Sequence, residues 1–169
     1  MDIILASNSP RRRELLEQVG ITGFQVISPD VDERVEPGLS PAGMVEELSL
    51  RKARAAADKT GPDGLIIAAD TVVALDGAVL GKPRNGADAF AMLSALSGRE
   101  HRVYTGVTVL GGGRAATEHE ETAVCFRELA PVEIWGYIAT GEPMDKAGAY
   151  GIQGVGALLV RGIRGDYCN

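Results

Sequence analysis

Apolar positions along the chain come in short blocks that switch between two periods. Residues 3–6 (IILA) form a run too short for a helix and lead straight into SNSPRRRELL, residues 7–16. Ser9 offers an N-cap there, Pro10 suits a first helical turn, and Leu15, Leu16 and Val19 recur at helical spacing. A strand followed by a helix over residues 9–20 is expected. Residues 24–28 alternate weakly, as a second strand would, and the acidic stretch DVDERVEPG over 30–38 reads as a surface loop. Ser40-Pro41 opens a long helix reaching about residue 58, with Met44, Val45, Leu48, Ala55 and Ala56 on its apolar stripe. Lys52 stands on that stripe where the 3.6 period asks for an apolar side chain.

The second half continues the alternation. GLIIAA, residues 64–69, is nearly continuous, as in a strand covered on both faces, and it ends in Asp70-Thr71. Residues 72–75 and 79–80 flank Asp76-Gly77, a pair that favours the type I′ turn, so a hairpin follows. A helix is expected over 85–96, capped by Asn85, with Phe90, Leu93 and Leu96 inward. Strands over 101–110 and 117–127 joined at the glycines 111–113 make a second hairpin. A short helix over 131–140 gathers Ile134, Trp135 and Ile138 on one side, and a glycine-rich loop over 141–154 precedes an apolar strand expected over 155–160. Strands alternating with helices, plus two hairpins, predict a single α/β domain, residues 1–169, with a mixed β-sheet and flanking helices.

Composition narrows the function classes. The chain has 169 residues and a formal net charge of -6, which argues against a general nucleic-acid or membrane-surface binder, since both need a basic face. Positive charge is local instead, at Arg11, Arg12 and Arg13 and again at Arg51, Lys52 and Arg54. No apolar run approaches the roughly 20 residues that span a bilayer, and the first residues lack a basic leader region, so cytoplasmic residence is expected. Cys125 and Cys168 lack metal-site spacing, and with two histidines, His101 and His119, a His-based zinc site is not expected.

Four features could carry chemistry. Asp70 stands at the end of an expected buried strand, where open α/β sheets form ligand crevices; a strand-end turn former is the bland alternative. Asp32 and Glu33 could join Asp70 around a hard cation, which takes one or two carboxylates and completes its shell with phosphate oxygens and water. Taken alone, these two acids read as a solvated charge run. Lys52 must snorkel, pair or point into a polar site, and Lys82 in Gly81-Lys82-Pro83 is either a solvated loop lysine or a presented cation. Arg11, Arg12 and Arg13 oppose the helix dipole at its positive end, a conflict that a polyanionic ligand removes. Arg11 and Arg12 are therefore candidate phosphate-binding residues, one or two of the arginines facing solvent or an acidic neighbour, and Ser9 beside them is a further substrate-binding candidate. In the glycine-rich loop Gln153 offers an amide suited to a base edge, and Asp145-Lys146 can be a structural ion pair. Neither a Walker loop nor a dinucleotide fingerprint is present.

In this order and spacing, SNSPRRRELL, AADTVV, GKP, YTGV and EPMDKAGAYGIQG resemble the Maf family of nucleotide pyrophosphatases, over the chain from Ile3 to its last residue. Arg11, Thr71 and Gln153 match the dTTP/UTP branch, where the 7-methyl-GTP branch has Trp, Gln and Glu. The resemblance implies a fold similar to inosine-triphosphate pyrophosphatases, with two lobes around a central cleft, and a homodimer. It implies hydrolysis of a nucleoside triphosphate to monophosphate and pyrophosphate with a divalent cation, Mg²⁺, Mn²⁺ or Co²⁺, held by Asp70 and Glu33. Asp70 would accept the proton, Lys52 and Lys82 would serve the cleft, and Arg11, Thr71 and Gln153 would set the base. Family members usually continue with a Val-Gly-Leu-Pro-like segment and a closing helix, so a C-terminal closing segment is expected to be missing. Two other readings stand beside this one: clearance of non-canonical purine triphosphates, and a nucleotide-binding regulator of cell division with little turnover.

Overall fold

The structure, a computed structural model, describes residues 2–61 and 64–169. Seven strands and four α-helices alternate along it: β1 (Ile3–Ala6), α1 (Pro10–Gln18), β2 (Gln25–Ile27), α2 (Pro41–Thr60), β3 (Leu65–Leu75), β4 (Ala78–Leu80), α3 (Gly86–Leu96), β5 (Glu100–Gly111), β6 (Arg114–Phe126), α4 (Pro131–Ile138) and β7 (Val160–Arg164). The strands make one mixed sheet in the order β2-β1-β3-β5-β6-β7, with β4 on β3. This is the expected α/β class. Among the described residues no helix is long and apolar enough to cross a membrane.

Contacts divide the chain into two compact units. The first holds residues 1–70 and 105–119, the second 71–104 and 120–169, so β3, β5 and β6 pass through both. In unit 1, β1 pairs in parallel with β2 and with β3, the last register being Ala6 with Ala68. Its core is small: Ile4, Ala6, Ala53, Ala56, Ile66 and Ala68. Helix α2 starts as the sequence indicates, Gly43 N–H donating to the Ser40 hydroxyl at 3.1 Å. Its buried face is Val45, Leu48, Ser49, Ala53 and Ala56, slightly rotated from the expected stripe.

A tight crossing fixes that helix. A Cβ at Gly106 of β5 would overlap the Val45 carbonyl and lie 2.8 Å from Glu46 N, so only glycine lets helix and strand approach this closely. Ser49 then bonds to Thr108 at 2.8 Å and Thr108 to Thr117 at 2.8 Å, satisfying hydroxyls that the contact buries. Lys52 lies one turn beyond Ser49, so the crossing also fixes where Lys52 emerges.

Unit 2 has the larger core, built on Val73, Leu93, Leu96, Phe126, Ile134 and Leu159. The hairpin of β3 and β4 forms as expected, pairing Leu75 with Ala78 around Asp76 and Gly77, both at positive φ. Asn85 caps α3 by accepting from Asp88 N–H at 2.9 Å.

Three expectations fail in instructive ways. Strand β3 does not stop at Asp70 but runs on to Leu75; what stops is its partner β1, at Ala6. Ser9 makes no side-chain cap; the buried Ser7 hydroxyl instead accepts from Ser9 N–H at 3.1 Å. Residues Val155–Leu159 form a 3-10 turn rather than a strand. The Val155 and Gly156 N–H groups donate to the Glu142 carboxylate at 2.9 and 3.1 Å, so they are lost to any ladder.

Candidate functional site

Unit 1 brings four of the sequence-selected charged residues together. Asp70 sits two residues past the last β1–β3 pair, at the carboxyl edge of the parallel strands, where β1 no longer pairs with β3. Lys52 Nζ ion-pairs with Asp70 Oδ1, and their side chains are only 12% and 11% exposed. The same ammonium lies 3.1 Å from Glu33 Oε1. The lysine that breaks the apolar period of α2 is thus the meeting point of two carboxylates. Buried charge of this kind is tolerable only because it is paired on both sides.

Arg12 completes the group. Its Nη1 donates to the Ala69 carbonyl at 2.7 Å and to the Ser7 hydroxyl at 3.3 Å. Burial draws its pKa down from the usual arginine value, opposed by the charges of Asp70 and Glu33. The guanidinium stays charged even so, because arginine does not deprotonate in proteins. Arg12 therefore answers the dipole conflict from inside the protein, and Arg13 does so on the surface by pairing with Glu17 at 3.2 Å. Arg11 is half-buried and makes no side-chain hydrogen bond or ion pair among the described residues.

Two arginines to which the sequence reading gave no site role, Arg34 and Arg51, hold the acidic loop. Arg34 grips Asp32 through both carboxylate oxygens, the closest contact being 2.7 Å, and this bonding holds the Asp32 carboxyl below its usual range. Asp32 is thereby occupied, and Glu33 is the loop acid that reaches Lys52. Arg51, next to Lys52 on α2, donates to the Arg34 carbonyl at 2.7 Å and the Asp32 carbonyl at 3.3 Å while pairing with Glu47. The 32–34 loop is thus tied to the helix that carries Lys52. The only sequence signal was the cluster of cations at 51–54.

Of the remaining predicted residues, Ser9 lies in unit 1 at the start of α1, and Lys82, Thr71 and Gln153 lie in unit 2. Lys82 and Gln153 are exposed, and Thr71 follows Asp70 on β3, half-buried. The Lys82 loop is tied to the glycine-rich loop, Gly148 N–H donating to the Gly81 carbonyl at 3.0 Å. Lys146 bonds Asp145 at 2.6 Å, and this bond, with a smaller push from the charge of Lys82, holds the Asp145 carboxyl below its usual range. The Asp145-Lys146 ion pair read from the sequence is real.

Asp70 and Glu33 fit a hard divalent cation: two oxygen donors converge where an ammonium already sits, and oxygen-only donation suits Mg²⁺ or Mn²⁺. Among the described residues no group of three or more His, Cys, Asp or Glu side chains forms an all-protein metal cage. A groove of about 510 Å³ elsewhere in unit 1 is lined by Glu36, Leu39, Glu46, Glu47, Arg51 and Thr117. Three carboxylates against one guanidinium make it a poor seat for a polyanion.

Comparison with known proteins gives the family. The family model described as Maf-like protein matches residues 2–169, and the chain belongs to that family. A dTTP/UTP pyrophosphatase of Symbiobacterium thermophilum is 54% identical over 167 residues, covering 99% of this chain and 85% of that protein. One from Moorella thermoacetica is 54% identical over 169 residues, covering 99% and 86%. One from Bacillus cereus is 48% identical over 165 residues, covering 98% and 85%. Two solved structures share the fold. A HAM1 protein from Coxiella burnetii has TM-score 0.54 and 21% identity, over 75% of this chain and 73% of that one. The Staphylococcus aureus Ham1 protein has TM-score 0.52 and 19% identity, over 75% and 72%.

Proposed function

We propose that this protein hydrolyses dTTP and UTP to the nucleoside monophosphate and pyrophosphate, with water attacking the α-phosphorus. The observation that carries the reading is the convergence of Asp70 and Glu33 on one buried lysine, beside a desolvated arginine. The dTTP/UTP pyrophosphatase activity named for relatives at about half identity supports it.

A divalent cation bound by Asp70 and Glu33 would supply polarisation of phosphate oxygens and a lowered pKa for a bound water. Asp70 accepts the proton of the attacking water. Proton acceptance by a positioned carboxylate accounts for on the order of 10²–10⁴ in rate. Lys52, released from part of its pairing when phosphate enters, offsets the charge that develops on the pyrophosphate leaving group, and Lys82 has the same role. Arg12 holds β3 next to Asp70 through the Ala69 carbonyl and adds fixed positive charge. Thr71, Arg11 and Gln153 select the pyrimidine, Gln153 by matching the carbonyl–imide edge. A methyl-sized difference in a pocket is worth only about 1–3 kcal/mol, so both dTTP and UTP are accepted. The reading includes a cytoplasmic homodimer acting as one domain and clearing nucleotides from the pool.

Pyrophosphate release from a panel of nucleoside triphosphates, with Mg²⁺, Mn²⁺, Co²⁺ or chelator, tests this. Metal-dependent release from dTTP and UTP with purines poor is expected. Purine preference would overturn the base assignment, and no release with any metal would favour the binding regulator.

A further inference from the structure

The glycine-rich loop contains a carboxylate that no step above uses. Glu142 Oε1 accepts from the Tyr137 hydroxyl at 2.8 Å and from Gly156 N–H at 3.1 Å, and Oε2 accepts from Val155 N–H at 2.9 Å. The Tyr137 oxygen in turn accepts from Gly151 N–H at 3.2 Å. Two side chains thus hold both flanks of residues 151–156, and exposed Gln153 stands at the middle of the arch. The glycines are part of the same construction. A Cβ at Gly154 would stand 2.5 Å from both Glu142 oxygens, and one at Gly156 would stand 2.7 Å from the Tyr137 oxygen. Burial alone would raise the Glu142 pKa, but the bonds from Gly156, Tyr137 and Val155, with the charge of Lys146, bring it below the usual carboxylate range. The clamp is therefore an anion at neutral pH, and bonds to an ionised acceptor are the stronger kind.

We propose that Glu142, with Tyr137, is the positioning element that fixes the Gln153 arch and so sets base selection, resting on the reading of Gln153 as the base-contacting residue. Neither side chain touches the base. An exposed amide on a loop of glycines would otherwise sample many orientations, and a paired hydrogen-bond contact needs one. In the amide replacement, one carboxylate oxygen becomes an NH₂ facing an N–H donor, so at least one of the three bonds is lost and an arm of the arch opens.

Glu142→Gln and Tyr137→Phe are to be compared with Gln153→Ala and the parent protein, using dTTP, UTP, ATP and GTP with Mg²⁺. Both clamp variants are expected to raise KM for the pyrimidine triphosphates about tenfold, as the loss of one charged-acceptor bond would. The pyrimidine preference should narrow toward that of Gln153→Ala, with kcat within about threefold of the parent. A parental KM and preference in folded clamp variants, with preference lost in Gln153→Ala, overturns the proposal and leaves the Gln153 reading intact. If Gln153→Ala keeps its preference, the Gln153 reading fails, and amide hydrogen exchange at Val155 and Gly156 decides on the clamp alone. Faster exchange in Glu142→Gln upholds the clamp, and unchanged exchange overturns it. Should Glu142→Gln fail to fold, Tyr137→Phe carries the same readouts, since it removes one donor to Glu142 and the acceptor of Gly151.

Discussion

In unit 1 Lys52 and its two carboxylates hold one another, whereas Glu142 of the unit 2 loop holds backbone. Lys52, at 12% side-chain exposure, meets two carboxylates, and Arg12 meets a carbonyl at the edge of the same cluster. Glu142 instead spends its oxygens on two N–H groups and a phenol, leaving Gln153 exposed and free of ion pairing in its own loop. On the proposed reading, the first arrangement places charge where the reaction develops charge, which is the preorganisation that catalysis needs. The second fixes the shape of a presenting loop, which is what recognition needs. Substitutions at Asp70 and Lys52 should therefore appear in kcat, and those at Glu142 and Gln153 in KM and selectivity.

The largest expected break is at Asp70. Asp70→Asn keeps the size of the side chain but removes the proposed proton acceptor and the negative partner of Lys52. The rate should fall on the order of 10²–10⁴ while nucleotide affinity stays within a few-fold. Single-turnover rates and equilibrium binding of dTTP measure the two separately. Near-parental turnover would remove Asp70 from the chemistry and with it the contrast between the units.

The next effect is on stability and belongs to unit 1 alone. In Gly106→Ala the new methyl meets the Val45 and Glu46 backbone, which cannot rotate away as a side chain would. Overpacking of this kind costs typically 1–3 kcal/mol and more against rigid backbone. A loss of roughly 3 kcal/mol by chemical denaturation is expected, together with a lower kcat, because α2 carries Lys52. An unchanged midpoint would mean that the crossing does not fix the helix.

Gly106 also shows where sequence reading stops. The pattern made the strand, the glycine and the helix legible, and Lys52 stood out because it broke a local period. That Gly106 faces residue 45 is a long-range crossing, and no local period encodes it. Asp70 was found for a reason only half right: the strand continues, and the edge is made by the end of β1, a different segment. The carboxylates were legible as a pair, but not that Arg34 takes Asp32 and leaves Glu33 to Lys52. Residues 155–160 looked like a strand because their composition is apolar, while the reason they are not, Glu142, lies thirteen residues upstream of Val155. Local chemistry was readable, and what one segment does to another was not.

The smallest expected effect is a pH dependence that belongs to unit 2. His101 is 2% exposed, bonds Tyr150 through Nε2 at 2.7 Å and packs edge-on against Phe126. Burial pushes its pKa down from 6.5 to about 4. Tyr150, whose own pKa burial raises, is neutral throughout and cannot compensate an imidazolium. The unfolded chain therefore binds a proton that the folded chain refuses between about pH 6.5 and pH 4. Stability contributed by neutral His101 is fully present above pH 6.5 and falls as pH drops through that window. At about 1.4 kcal/mol per pH unit, the loss between pH 6.5 and pH 5 is about 2 kcal/mol. Denaturant unfolding at pH 7.5, 6 and 5 should show this decline, and His101→Gln should flatten it. An equal decline in the variant would assign the pH dependence to other groups. If instead His101→Gln flattens the stability curve while kcat for dTTP keeps its parental pH profile, the separation between the charge-paired unit and the backbone-held unit extends from mutation to pH.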